Sequence, residues 1–156
     1  MKKPNERRAV MPRDEAEKIL QPYFAGLAED FEMAWKWVQS ILDQDAERRS
    51  TFDGSVQAAM IYCRFVVLCK KRFSIEPRVT MRETGRLLRV RVGGLSLRFK
   101  KFDEQLHSRN VKTNAQAAIY HQDDLQGIEG ATEITLGYTT DITNRKPLGL
   151  YVTCPI

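Results

Sequence analysis

The sequence predicts an α+β domain, with N-terminal helices packed on an antiparallel sheet of about five strands in the order ααα-βββ-α-ββ. Three observations lead there. Apolar residues recur at three- and four-residue spacing from Phe24 to Leu42, which is one face of a helix. From Val56 to Cys69 the chain is apolar almost without interruption. Beyond Pro77 the repeat shortens to two, the period of a strand. With 156 residues, 42% hydrophobic and 29% charged, the chain is long enough to bury a core and is read as one domain.

Residues 1–12 carry Pro4 and Pro12 and no periodicity, so they read as a flexible basic arm ahead of one domain over 13–156. That domain divides into a helical part, 13–72, and a sheet-rich part, 77–156. A short helix is expected from Asp14, followed by a longer one from Pro22 to about Arg48. The stripe Phe24, Leu27, Phe31, Ala34, Trp35, Val38, Ile41 and Leu42 gives the longer helix its buried face, and Trp37 falls off that stripe. Asp53-Gly54-Ser55 offers caps for a third helix over 55–72, apolar nearly all round and therefore expected to be covered on several sides.

A strand is expected over 77–82. Leu88, Val90 and Val92 then alternate with Arg89 and Arg91, and after Gly93-Gly94 the residues Leu95, Leu97 and Phe99 alternate with Ser96, Arg98 and Lys100. Two such runs around a Gly-Gly pair specify a hairpin. Residues 110–122 read as a helix, and two further strands follow near Glu133–Thr140 and Leu148–Thr153.

Cys63, Cys69 and Cys154 are odd in number and lack metal-ligand spacing, so they are expected to be buried free thiols in a reducing compartment. The first residues have no apolar signal region, and the apolar run containing Arg64 is too short to span a bilayer. A cytoplasmic protein is expected. No phosphate-binding glycine loop, CxxC pair or HExxH helix is present, so neither cofactor nor metal is expected.

Charge is unevenly spread. The chain carries +5 in all, yet Arg64 to Lys112 holds 14 basic residues against 4 acidic ones. The hairpin concentrates this charge, because its outward positions Arg89, Arg91, Arg98 and Lys100 share one face with no carboxylate among them. Lys101, Arg109 and Lys112 extend it. Arginine pairs bidentately with phosphate and lysine adds point charge, so these seven residues are the candidate nucleic-acid or anion-binding set. Solvated strand charge is the plainer explanation of the same pattern. Tyr120 and His121, beside Asp123 and Asp124, are the candidate catalytic pair if the protein is an enzyme, which the residues leave open. Trp37 is the candidate partner-binding residue.

The runs LSLRFKKFD, SRNVKTNAQAAIYHQ, EITLGYTTD and LYVTCP, within residues 95–156, resemble small uncharacterised bacterial and prophage proteins. Members of that group neighbour regulators that join a helix-turn-helix to an ImmA/IrrE-like zinc peptidase. The resemblance implies a toxin–antitoxin-like or phage-linked module. Together with the charge it gives the expectation of a cytosolic effector that engages nucleic acid or a ribonucleoprotein. The alternative is a non-catalytic inhibitor or adaptor that sets the same basic face against an acidic protein, such as a cognate regulator.

Overall fold

The computed structural model describes residues 10–85, 87–107 and 131–154. Helices α1 (Arg13–Leu42), α2 (Ala46–Thr51) and α3 (Gly54–Phe73) precede strands β1 (Val79–Thr84), β2 (Leu87–Val92), β3 (Leu95–Lys101), β4 (Thr132–Thr140) and β5 (Pro147–Thr153). The α+β class, the leading helices and the five strands are as the sequence indicates. The helix expected over 110–122 lies outside the described residues.

The helices divide differently from expectation. Asp14 does not open a separate short helix: α1 runs unbroken through Pro22, which is exposed. Pro22 removes one backbone donor. The apolar stripe nevertheless continues through Ile19, Leu20, Tyr23, Phe24 and Leu27, and its packing holds both sides of the proline in one helix. The helix also stops six residues before Arg48. Asp45 caps a new one, its carboxylate accepting from the Arg48 amide at 2.8 Å, and this separates α2 from α1. Asp53 caps α3 in the same way through the Val56 amide at 3.0 Å.

The sheet order is β1-β2-β3-β4-β5. All neighbouring pairs are antiparallel except β3 and β4, which run parallel, so the sheet is mixed rather than antiparallel throughout. A parallel neighbour needs a long crossover, and residues 102–131 separate the two strands. Gly93 and Gly94 take φ of 54° and 88°, the left-handed pair that a two-residue hairpin between β2 and β3 requires.

One sheet face meets the helices. Leu88, Val90, Val92, Leu95, Leu97, Phe99, Ile134, Leu136 and Tyr138 pack against Leu27, Phe31, Val38, Ile61, Phe65 and Cys69. Phe65 meets Phe99 edge-on at 4.6 Å between ring centres, and Phe31 lies 4.8 Å from Tyr138. The N-terminal segment is not wholly a free arm. Met11 packs on this core, and its amide donates to Thr132 Oγ1 at 3.0 Å. Helix α3 is covered along one side only, for Val56, Cys63 and Val67 are exposed. The expectation of three buried thiols thus holds for Cys69, while Cys154 is half-buried. Among the described residues no helix is long and apolar enough to cross a membrane.

Burial of the core makes stability sensitive to alkali. Desolvation raises the Cys69 thiol from 9.0 to about 12, and it also raises the hydroxyls of Tyr138 and Tyr62. A folded-state value above the unfolded one contributes stability that is complete below the unfolded value and is lost as pH rises towards the folded one. Lys100 opposes this, since burial lowers its value, but burial also raises the Cys154 thiol, so four groups stand against one. Stability is expected to fall above pH 9, with Cys69 contributing up to about 1.4 kcal/mol per pH unit. Urea titrations across this range are expected to give a shallower decline for Cys69→Ala. An unchanged slope would assign the loss to other groups.

Candidate nucleic-acid interface

Strand alternation sends every second side chain of the sheet away from the helices. In β2 and β3 these are Arg89, Arg91, Ser96, Arg98 and Lys100, as the hairpin pattern indicates, since Leu88, Val90, Leu97 and Phe99 fill the core side. The register adds neighbours that local sequence does not reveal. Thr80 pairs with Arg91, Arg91 with Ser96, and Ser96 with Glu133, forming one row across four strands. In the next row Arg82 stands opposite Arg89, and Arg98 opposite Thr135. Lys100 lies opposite Gly137, where a Cβ would run into the Phe102 ring. Phe102 is buried on this polar side and lies outside the helix-side core.

Among the described residues the face therefore carries five cations, Arg82, Arg89, Arg91, Arg98 and Lys100, and one carboxylate. That carboxylate corrects the expectation of a purely basic surface. Glu133 is 1% exposed, and its Oε1 lies 3.6 Å from Arg89 Nη1. The parallel register of β4 against β3 delivers it, which is why the hairpin alone gives no sign of it. Its polar phase (Glu133, Thr135, Gly137, alternating with Ile134, Leu136 and Tyr138) is the only trace in the sequence.

The cations are not equally accessible. Arg98 is buried, and its Nε donates to Thr135 Oγ1 at 2.8 Å. The Arg89 side chain is 16% exposed. Arg91 and Lys100 are half-buried, and Arg82 is exposed. Desolvation lowers the Lys100 ammonium from its ordinary value, with the Arg98 charge adding to the effect. Arg82 opposite Arg89 is a like-charge cross-strand pair, an arrangement that disfavours the fold unless an anion is near. Glu133 supplies part of that countercharge at the inner end of the array.

Lys101 belongs to the other face. It is in register with Tyr138, and its Nζ donates to Asn144 Oδ1, so the alternation that presents Lys100 turns Lys101 towards the helix side. Arg109, Lys112, Tyr120 and His121 lie outside the described residues. Trp37 is 42% exposed on α1, with the Arg64 guanidinium 5.0 Å from its ring centre. It sits in the helical layer, across the sheet from the basic array.

No family model, no curated protein and no solved structure matches the chain.

Proposed function

We propose that the chain binds a polyanion, nucleic acid or the nucleic-acid part of a ribonucleoprotein, on the face of the sheet turned away from the helices. The observation that carries this reading is five cations gathered by register, among the described residues, around a single carboxylate. In such an array the outer charges meet the ligand and the inner ones hold the geometry. Arg82, Arg91 and Lys100 are the contacts to phosphate. Arg89 and Arg98 are positioning residues, fixed by Glu133 and Thr135. Arginines so fixed lose little conformational freedom on engaging an anion, which favours binding.

In this reading the protein is a cytosolic, toxin-like or phage-linked effector of bacterial or prophage origin, supported by the resemblance of residues 95–156. A second reading is a non-catalytic inhibitor or adaptor that docks an acidic protein on the same face. The arrangement of arginines around a carboxylate favours this reading as far as it favours the first, since an acidic protein surface presents the same anionic groups.

Arginine-selective chemical modification followed by mass spectrometry tests the first reading. A short single-stranded RNA is expected to protect Arg82 and Arg91 while leaving Arg13, on α1, fully reactive. Equal modification of all three with and without RNA would remove nucleic acid from this face.

A further inference from the structure

A cavity of about 930 Å³ lies between the corner that joins α1 to α2 and the loop that joins β4 to β5. Among the described residues its polar lining is Gln39, Asp43, Asp45, Arg49, Ser50 and Arg145. The volume falls within the roughly 300–1,000 Å³ of small-ligand sites and far exceeds what one inorganic anion fills. Its two ends differ in charge. At the helical corner each carboxylate already has an arginine: Asp43 pairs with Arg49, and Asp45 pairs with Arg48 at 3.1 Å. Arg49 Nη2 also donates to Gln39 Oε1 at 3.0 Å. That bond fixes which way the Gln39 amide is turned and leaves its buried Nε2, a donor, without a partner. At the loop end Arg145 is exposed, and no carboxylate among the described residues pairs with its guanidinium. Its backbone is nevertheless held, because its amide donates to Asp141 Oδ1 at 2.8 Å.

We propose that this cavity binds a small hydroxylated organic anion, of the class of a sugar phosphate. Charge selects the anionic group. Arg145 is the one cation of the lining without a carboxylate, and a guanidinium offers its paired donors to phosphate or carboxylate oxygens. Charge also selects the hydroxyls. The Asp43 and Asp45 side chains are 66% and 52% exposed, so their oxygens can accept from a ligand, yet their arginines leave that end neutral. A ligand ammonium would have to compete with Arg48 and Arg49 for those carboxylates, whereas hydroxyl groups add to the existing pairs without displacing them. The breadth of the cavity then calls for a body of several carbon atoms between the hydroxyls and the anionic group. This site is separate from the basic face of β1, β2 and β3 and does not rest on what that face binds.

Isothermal titration calorimetry of the purified chain with ribose 5-phosphate, ribose and inorganic phosphate tests the proposal. Ribose 5-phosphate is expected to bind at least about tenfold more tightly than either fragment alone. Arg145→Gln, an exposed substitution, is expected to keep its circular dichroism and to weaken binding by at least about tenfold, the effect of one charged hydrogen-bonding group. The variant with Arg82, Arg91 and Lys100 changed together to Gln is expected to bind ribose 5-phosphate as the wild type does, which separates this cavity from the sheet face. Absence of binding would overturn the proposal. So would inorganic phosphate that binds as tightly as the ester, an affinity that Arg145→Gln leaves unchanged, or one that the triple variant abolishes.

Discussion

Replacing Glu133 with alanine is expected to cost about 3–5 kcal/mol of stability, because it strips the countercharge from Arg89, already largely withdrawn from water. The carboxylate is 1% exposed and Arg89 is 16% exposed, so solvent offers little compensation when one partner is lost. The magnitude reflects an uncompensated buried charge more than the strength of the pair, and that distinction can be measured. Arg89→Met alone is also expected to be destabilising, since it leaves the carboxylate beside Ser96 without that arginine. The double variant is expected to be markedly less damaged than the sum of the two singles. Urea unfolding of the four proteins closes the cycle. Additive losses would show that the two groups act separately.

The second large effect is expected at the other buried carboxylate. Asp30 on α1 is 3% exposed and accepts from Arg72 of α3 twice, from Nε at 2.9 Å and from Nη2 at 3.0 Å. The Arg72 stem lies over Gly26, where a Cβ would meet it at 3.0 Å, so a small residue is needed for the two helices to close on it. Arg72→Ala therefore removes packing as well as charge and leaves Asp30 stranded, at a cost of about 3–5 kcal/mol. The solvent-exposed pairs Arg13–Glu17 and Lys36–Glu32 are the contrast. Removing either is expected to cost less than about 0.5 kcal/mol. Thermal melts of the three alanine variants, at Arg72, Arg13 and Lys36, are expected to separate the first from the others by many degrees. Similar melting temperatures would mean that α1 and α3 are held by their apolar contacts alone.

What the sequence reveals and what it hides follow from the range of the forces involved. Helix stripes, the Asp53 cap, the Gly93-Gly94 turn and strand alternation are properties of neighbours in the chain, and each is recovered in the structure. Pro22 was legible as a helix start because its missing donor is tolerated there, yet tertiary packing carries α1 straight through it. Strand neighbours are another matter. No local pattern states that β4 lies parallel to β3, so Glu133, Thr135 and the burial of Arg98 were hidden. Lys101 departs from expectation for a smaller reason: one step along a strand reverses the face, and a run of two lysines obscures that step. Nor does the local sequence mark Arg82, because β1 pairs it with Arg89 only through register.

The central claim is that the outer cations of the sheet face, rather than the overall positive charge, bind phosphate. Its most direct test is the affinity for labelled single-stranded RNA and duplex DNA over a salt series, for wild type and for Arg82, Arg91 and Lys100 changed together to Gln. The wild type is expected to bind at low salt, with affinity falling steeply as counterions compete. The variant, folded and equally stable, is expected to bind more weakly with a slope shallower by up to about three, one for each lost phosphate contact. Absence of binding at low salt, or a slope that the three substitutions leave unchanged, would contradict the assignment of this face.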